Sequence, residues 1–115
     1  MRHTLASLVL ALFLFPSIAM GETMDDLVIT NGLIYKKFTN IPFTGKVTGQ
    51  YQGKIRNGKE EGPWVEYHDN GRLESKGTYK NGEKDGPWVH YHIDGWLKSK
   101  RTYKNGKRYG PWVEY

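Results

Sequence analysis

Ser75 and Ser99, His68, His90 and His92, and the adjacent carboxylates Glu60 and Glu61 are the side chains whose types and spacing could support chemistry. A serine beside a histidine suits acyl transfer, paired carboxylates suit acid–base hydrolysis, and histidines in neighbouring units suit a metal. Spacing argues against each. Ser75 and Ser99 fill one slot of a repeated unit, and a catalytic residue does not need a copy in every period. Glu60 and Glu61 adjoin the turn-forming Gly62, where solvated charge is expected and no apolar enclosure exists to tune a proton donor. On strands, His90 and His92 would share a face about 7 Å apart, and His68 would lie about 9.5 Å from His92. Zinc needs nitrogens about 2.0 Å from one metal, so solvated surface histidines are expected. No catalytic residue, metal ligand or cofactor is expected.

Binding makes better use of the unusual residues. Trp64, Trp88 and Trp112 recur in register, each inside Gly-Pro-Trp-Val. A buried aromatic removes about 150–250 Å² from water, so these indoles are expected chiefly as the core of a thin sheet, with partner contact as their second use. Trp96 is different because it stands where the preceding unit has Arg72, so the repeat does not require it. A non-repeated aromatic on an open surface suits partner contact. Trp96, together with Tyr109 from what reads as the adjacent turn, is expected on a binding face. Lysines and arginines crowd the same units, but acids are interleaved among them, and an exported chain does not meet nucleic acid. An anionic membrane surface remains a partner that outward lysines fit, each worth about 1 kcal/mol near such a surface.

These residues are positioned by a repeat. Gly53 to Lys76 aligns with Gly77 to Lys100 through Asn57/Asn81, Gly58/Gly82, Gly62/Gly86, Pro63/Pro87, Trp64/Trp88, Val65/Val89, Tyr67/Tyr91, Gly71/Gly95, Leu73/Leu97 and Ser75/Ser99. A third copy begins at Arg101 and runs to Tyr115. A fixed period of this kind marks a solenoid or array. Asn-Gly at 57–58, 81–82 and 105–106 supplies hairpin turns, and Asp69-Asn70-Gly71 and Ile93-Asp94-Gly95 supply the turns between them. The spacing predicts an antiparallel β-meander, all-β, in a single-layer twisted sheet or solenoid. In the second strand Leu73, Ser75 and Tyr79 share one face and Glu74, Lys76, Thr78 and Lys80 the other. The first strand leaves Trp64 opposite Val65 and Tyr67 unless a bulge intervenes.

The unit Asn-Gly-x3-Gly-Pro-Trp-Val-x-Tyr-x3-Gly-x-Leu-x-Ser-Lys resembles the bacterial MORN repeat variant, over about Leu27 to Tyr115. The openings Tyr35-Lys36-Lys37-Phe38 and Pro42-Phe43-Thr44-Gly45-Lys46-Val47 are similar to those of secreted members. The resemblance implies a scaffolding or phospholipid-contacting module, and for some members an antitoxin of the YwqK type. It carries over no catalytic residue.

The remaining features bound the reading. Arg2 followed by the apolar run Leu5 to Phe15, then Pro16 and Ala19-Met20-Gly21, reads as a secretory signal peptide over residues 1–21. An exported chain, periplasmic or secreted after cleavage near Gly21, is expected. Residues 22–52 read as a degenerate opening unit, followed by repeats at 53–76 and 77–100 and a partial one at 101–115. Leu27, Val28, Ile29, Leu33, Ile34, Tyr35, Phe38, Ile41 and Phe43 are expected to close that first end, with Asn31-Gly32 corresponding to Asn70-Gly71. The far end leaves an aromatic strand at a sheet edge, which calls for further chain, a partner or self-association by strand pairing. With 14 Gly, no Cys and a net charge of +5, the expectation is an exported non-enzymatic module binding another protein, a toxin or an envelope component. The alternative is a phospholipid or polysaccharide surface.

Overall fold

A computed structural model describes residues 21–115. The leader expected over residues 1–21 lies, apart from Gly21, outside the described residues. A 3-10 turn, Met24–Asp26, leads into the hairpin of β1 (Leu27–Thr30) and β2 (Leu33–Lys36). Then come β3 (Gly45–Val47), β4 (Tyr51–Arg56), β5 (Lys59–Tyr67), β6 (Leu73–Lys80), β7 (Glu83–Lys84), β8 (Gly86–Tyr91), β9 (Leu97–Lys104) and β10 (Lys107–Glu114).

Strands β3 to β10 form one antiparallel sheet in the order β10-β9-β8-β6-β5-β4-β3, with β7 also paired to β6. Sheet order follows chain order, the meander that the turn spacing predicts, and the sheet does not close into a barrel. The molecule measures 65 × 31 × 20 Å with a radius of gyration of 17.8 Å. A compact chain of this size has a radius of about 12 Å, so this is an extended slab.

Its regularity comes from the turns. Asn57, Asn81 and Asn105 have φ of 50°, 53° and 52°, each followed by a glycine of positive φ. Both central residues are therefore left-handed, as a tight twisted hairpin requires. Asn31-Gly32 has the same geometry, φ 52° and 78°, so it corresponds to Asn57-Gly58 rather than to Asn70-Gly71, where only the glycine is left-handed.

The parity of the first strand is settled by a register shift between Glu66 and Tyr67, repeated between His90 and Tyr91. Trp64 faces Gly77, Glu66 faces Ser75, and after the shift Tyr67 faces Leu73. Trp64 and Tyr67 thus share a side and Val65 takes the other. A second irregularity lies between Gln52 and Lys54, where one residue of β4 opposes Gly62, Pro63 and Trp64 of β5. Proline has no N–H to give the ladder, and a left-handed Gly62 (φ 80°) turns the chain there.

Among the described residues the buried hydrophobic side chains are Leu27, Ile34, Val47, Ile55, Trp64 and Trp88, with Met24, Phe43, Tyr79 and Tyr103 packed against them. The opening unit closes its end only in part. Leu27 and Ile34 are buried, whereas Val28, Ile29, Phe38 and Ile41 stay exposed, Phe38 fully. Val28 lies on the side of the hairpin away from Leu27 and Ile34, Ile29 stays exposed although it is the register partner of Ile34, and Phe38 and Ile41 lie in the segment after β2.

Candidate functional site

The sheet has two chemically distinct faces. On the first lie the indoles. Trp64 and Trp88 are 6% and 4% exposed, because each ring lies flat on a glycine of the preceding strand. A Cβ on Gly53 would come within 2.3 Å of Trp64, and one on Gly77 within 2.1 Å of Trp88. Tyr79 stands edge-on between the two rings, with centroids 5.9 Å and 5.1 Å away. Each indole N–H donates to a backbone carbonyl ten residues back: Trp64 to Lys54 at 3.1 Å, Trp88 to Thr78 at 3.1 Å, Trp112 to Thr102 at 3.3 Å. Burial therefore leaves no indole N–H orphaned.

Cations complete this face in the later units. The Lys84 ammonium lies 4.7 Å from the Trp88 ring and 5.1 Å from that of Tyr103. Arg101 stands where the earlier units have Gly53 and Gly77, and its guanidinium lies 5.1 Å from the Trp112 ring, with that of Arg108 at 4.4 Å. The ring has lost its glycine platform, and Trp112 is only half-buried. Partner contact through Trp64 and Trp88 is thus corrected by their burial, while Trp112 stays within reach at the edge strand.

A polar row crosses the same face: Tyr51, Glu66, Ser75, His90, Ser99 and Glu114 are successive register partners. The Tyr51 phenol is held above its ordinary pKa by its hydrogen bond to Glu66 and by that carboxylate's charge. Ser99 is 0% exposed, so no substrate reaches its hydroxyl although His90 lies opposite. The histidines are not the solvated set expected from sequence. His68 Nε2 lies 3.0 Å from the Tyr91 carbonyl and Nδ1 3.6 Å from Glu74, while His90 Nε2 is shut off from solvent. Of these three, only His92 is exposed. The shift at His90/Tyr91 also ends the alternation that would have put His90 and His92 on one face. Among the described residues no group of three His, Cys, Asp or Glu could hold a metal.

The second face is cationic. Gln52, Val65, Lys76, Val89, Lys100 and Val113 are register partners in one row across the sheet. Pro63 and Thr78, and Pro87 and Thr102, pair beside it. Lys54, Arg56, Lys80, Lys98 and Lys104 share this side by alternation and are exposed. Of the acids here, Glu61 and Glu74 are engaged with Arg56 (3.7 Å) and His68 (3.6 Å), and Glu83 is the register partner of Lys80. The net positive balance of the chain is concentrated on this face.

The turns at 68–72 and 92–96 form a rim along one end of the strands, and each hydrogen-bonds the next. Gln50 donates to the Tyr67 carbonyl at 2.9 Å and to Asp69 at 3.1 Å. Asn70 donates to the Ile93 carbonyl at 2.9 Å, and Arg72 donates to the Asp94 carbonyl. Trp96 takes the Arg72 slot at the outer end of this ladder and is 74% exposed. Ile93 and Tyr115 are also exposed, and the Tyr115 N–H donates to the Lys98 carbonyl two residues from Trp96. Tyr109, 57% exposed, lies elsewhere. It follows Arg108, which faces Tyr103 near the far end of β9, so about 20 Å of strand separates it from Trp96. The Trp96–Tyr109 face expected from sequence is not assembled, because the two residues flank opposite ends of one strand. Tyr115 and Ile93 were not singled out from sequence, although their place beside the 93–95 turn was readable from the repeat.

Two consecutive units, residues 60–81 and 84–105, match the MORN repeat variant. No curated protein and no solved structure matches the chain. MORN repeats are generally modules that bind proteins or membranes.

Proposed function

We propose that the chain is an exported, non-enzymatic repeat module that binds another protein, a toxin or a cell-envelope component, with an immunity-like or antitoxin-like role as the finer form of that reading. One observation carries it: Trp96, a residue the repeat does not require, stands 74% exposed at the turn that also carries exposed Ile93, with the exposed Tyr115 bonded through its N–H to the Lys98 carbonyl two residues on. Exposed tryptophans are among the residues that most often carry the binding energy of a protein interface. The rim under it is held by the Asn70 and Arg72 hydrogen bonds, so little order is lost when a partner docks. Export rests on the apolar run Leu5 to Phe15 and its Ala19-Met20-Gly21 end.

Affinity capture of the chain lacking its leader, from the envelope fraction of its own cell, tests this reading. A discrete protein should be retained, and Trp96→Ala should release it. Capture unchanged by Trp96→Ala overturns the role of the rim.

The row Val65–Lys76–Val89–Lys100–Val113 favours a second reading, an anionic phospholipid or wall-polysaccharide surface bound by the lysine face. Salt separates the two. Binding by exposed lysines fades as the Debye length shrinks from about 10 Å at 0.1 M to about 3 Å at 1 M, whereas an aromatic interface persists.

A further inference from the structure

Lys46 and Lys54 are direct register partners on β3 and β4. Like charges placed directly opposite across two strands destabilise the pairing, and neighbouring acid does not relieve them. Glu61 is the register partner of Lys54 on β5. Its carboxylate instead accepts the Asn81 N–H at 2.9 Å and faces Arg56 at 3.7 Å. Among the described residues neither Lys46 nor Lys54 has a carboxylate within ion-pair distance.

The repeat does not ask for either lysine. Where Lys46 faces Lys54, Pro63 faces Thr78 and Pro87 faces Thr102 in the following units. The pair is therefore a local addition at one position of an otherwise periodic sheet. It sits beside the irregularity where β4 and β5 part around Gly53. That gap opens a groove of about 470 Å³ lined by both lysines with Gln52, Gly53, Glu61 and Pro63 among others. The volume is within the range of small-molecule sites, about 300–1,000 Å³.

We infer that this groove is a binding site for the phosphate group of a small ligand, a free phosphate ion or a sugar-sized phosphate monoester. Two lysines opposite each other in the register and lining one groove match a dianion in charge. Lysine ammoniums bind phosphate as point charges, and two positive charges favour a dianionic phosphate over a singly charged carboxylate. Pro63 and the lysine stems supply apolar wall for an organic body.

The test is a titration of the described chain, Gly21 to Tyr115, with glucose 6-phosphate, inorganic phosphate and acetate, followed by backbone amide NMR. Lys54→Thr restores the residue of the other units and should fold; Lys76→Thr is the control on the same face outside the groove. The expected result is saturable shifts at Thr48, Gln52 and Gly53 with a phosphate probe, weakened about tenfold by Lys54→Thr and unchanged by Lys76→Thr. Stronger binding of glucose 6-phosphate than of inorganic phosphate identifies an ester ligand, and equal binding identifies the free ion. Absence of saturation, acetate binding as strong as phosphate, or equal weakening by Lys76→Thr overturns the proposal.

Discussion

The Trp88 indole lies so close against Gly77 that a Cβ on that glycine would fall 2.1 Å from the ring. The contact is backbone to ring and has no slack. Gly77→Ala must displace an indole that is also fixed by its N–H to the Thr78 carbonyl. Overpacking of this kind costs about 1–3 kcal/mol, and the upper half of that range is expected as a lowered urea midpoint. In the third unit Arg101 fills that slot and β10 is the edge of the sheet, and there Trp112 is only half-buried.

Alkaline pH should act through Tyr79. Burial first, then the charges of Glu60 and Glu66, push its phenol from an ordinary 10.0 up to about 12. The folded form keeps the proton that the unfolded form loses, so this contribution is complete below about pH 10 and is lost as pH rises towards about 12. The urea midpoint of Tyr79→Phe should fall less steeply over that window than that of the unsubstituted chain.

Acid should act through His90. Its imidazole is held below the ordinary 6.5 by burial first and then by Arg101, Lys84 and Lys98, with Glu74 opposing. The unfolded chain takes the proton first as pH falls below about 6.5, so stability is lost on that side and is complete above it. His90→Gln should be less sensitive over the same descent, and the His90 ring resonances should titrate below those of a model peptide.

Trp96→Ala should leave the melting temperature nearly unchanged, within about 0.5 kcal/mol in stability, because the ring is 74% exposed. Trp88→Ala, at a site 4% exposed, should cost about 3–5 kcal/mol. Thermal melts of the two variants separate a binding tryptophan from a structural one.

Much of this was readable in the sequence, for physical reasons that differ by element. Asn57-Gly58 and its copies announce their hairpins because Asn-Gly is among the few pairs that readily adopt two left-handed residues in succession. Alternation in Leu73 to Lys80 gave the faces of β6 correctly because that strand carries its side chains in strict period two. The side of Trp64 relative to Tyr67 was not legible, since it depends on where one extra residue is accommodated, and Glu66/Tyr67 looks no different from its neighbours in composition. Trp96 and Tyr109 appeared adjacent because both flank turns, but the turns alternate between the two ends of the strands. Exposure of Phe38 and Ile41 was hidden because apolar type alone does not say whether a covering element exists. The lysine groove was invisible for a related reason: Lys46 and Lys54 become partners only through the β3–β4 register.

The central claim is that partner binding occurs through the Trp96 rim and not through the lysine face. A photo-crosslinking residue placed at position 96 and, separately, at position 76 in the full chain, irradiated in its own cells, compares the two surfaces directly. A discrete protein adduct from position 96, absent from position 76 and retained at high salt, is the predicted result. Adducts to lipid or polysaccharide from position 76, with none to protein from position 96, would contradict it.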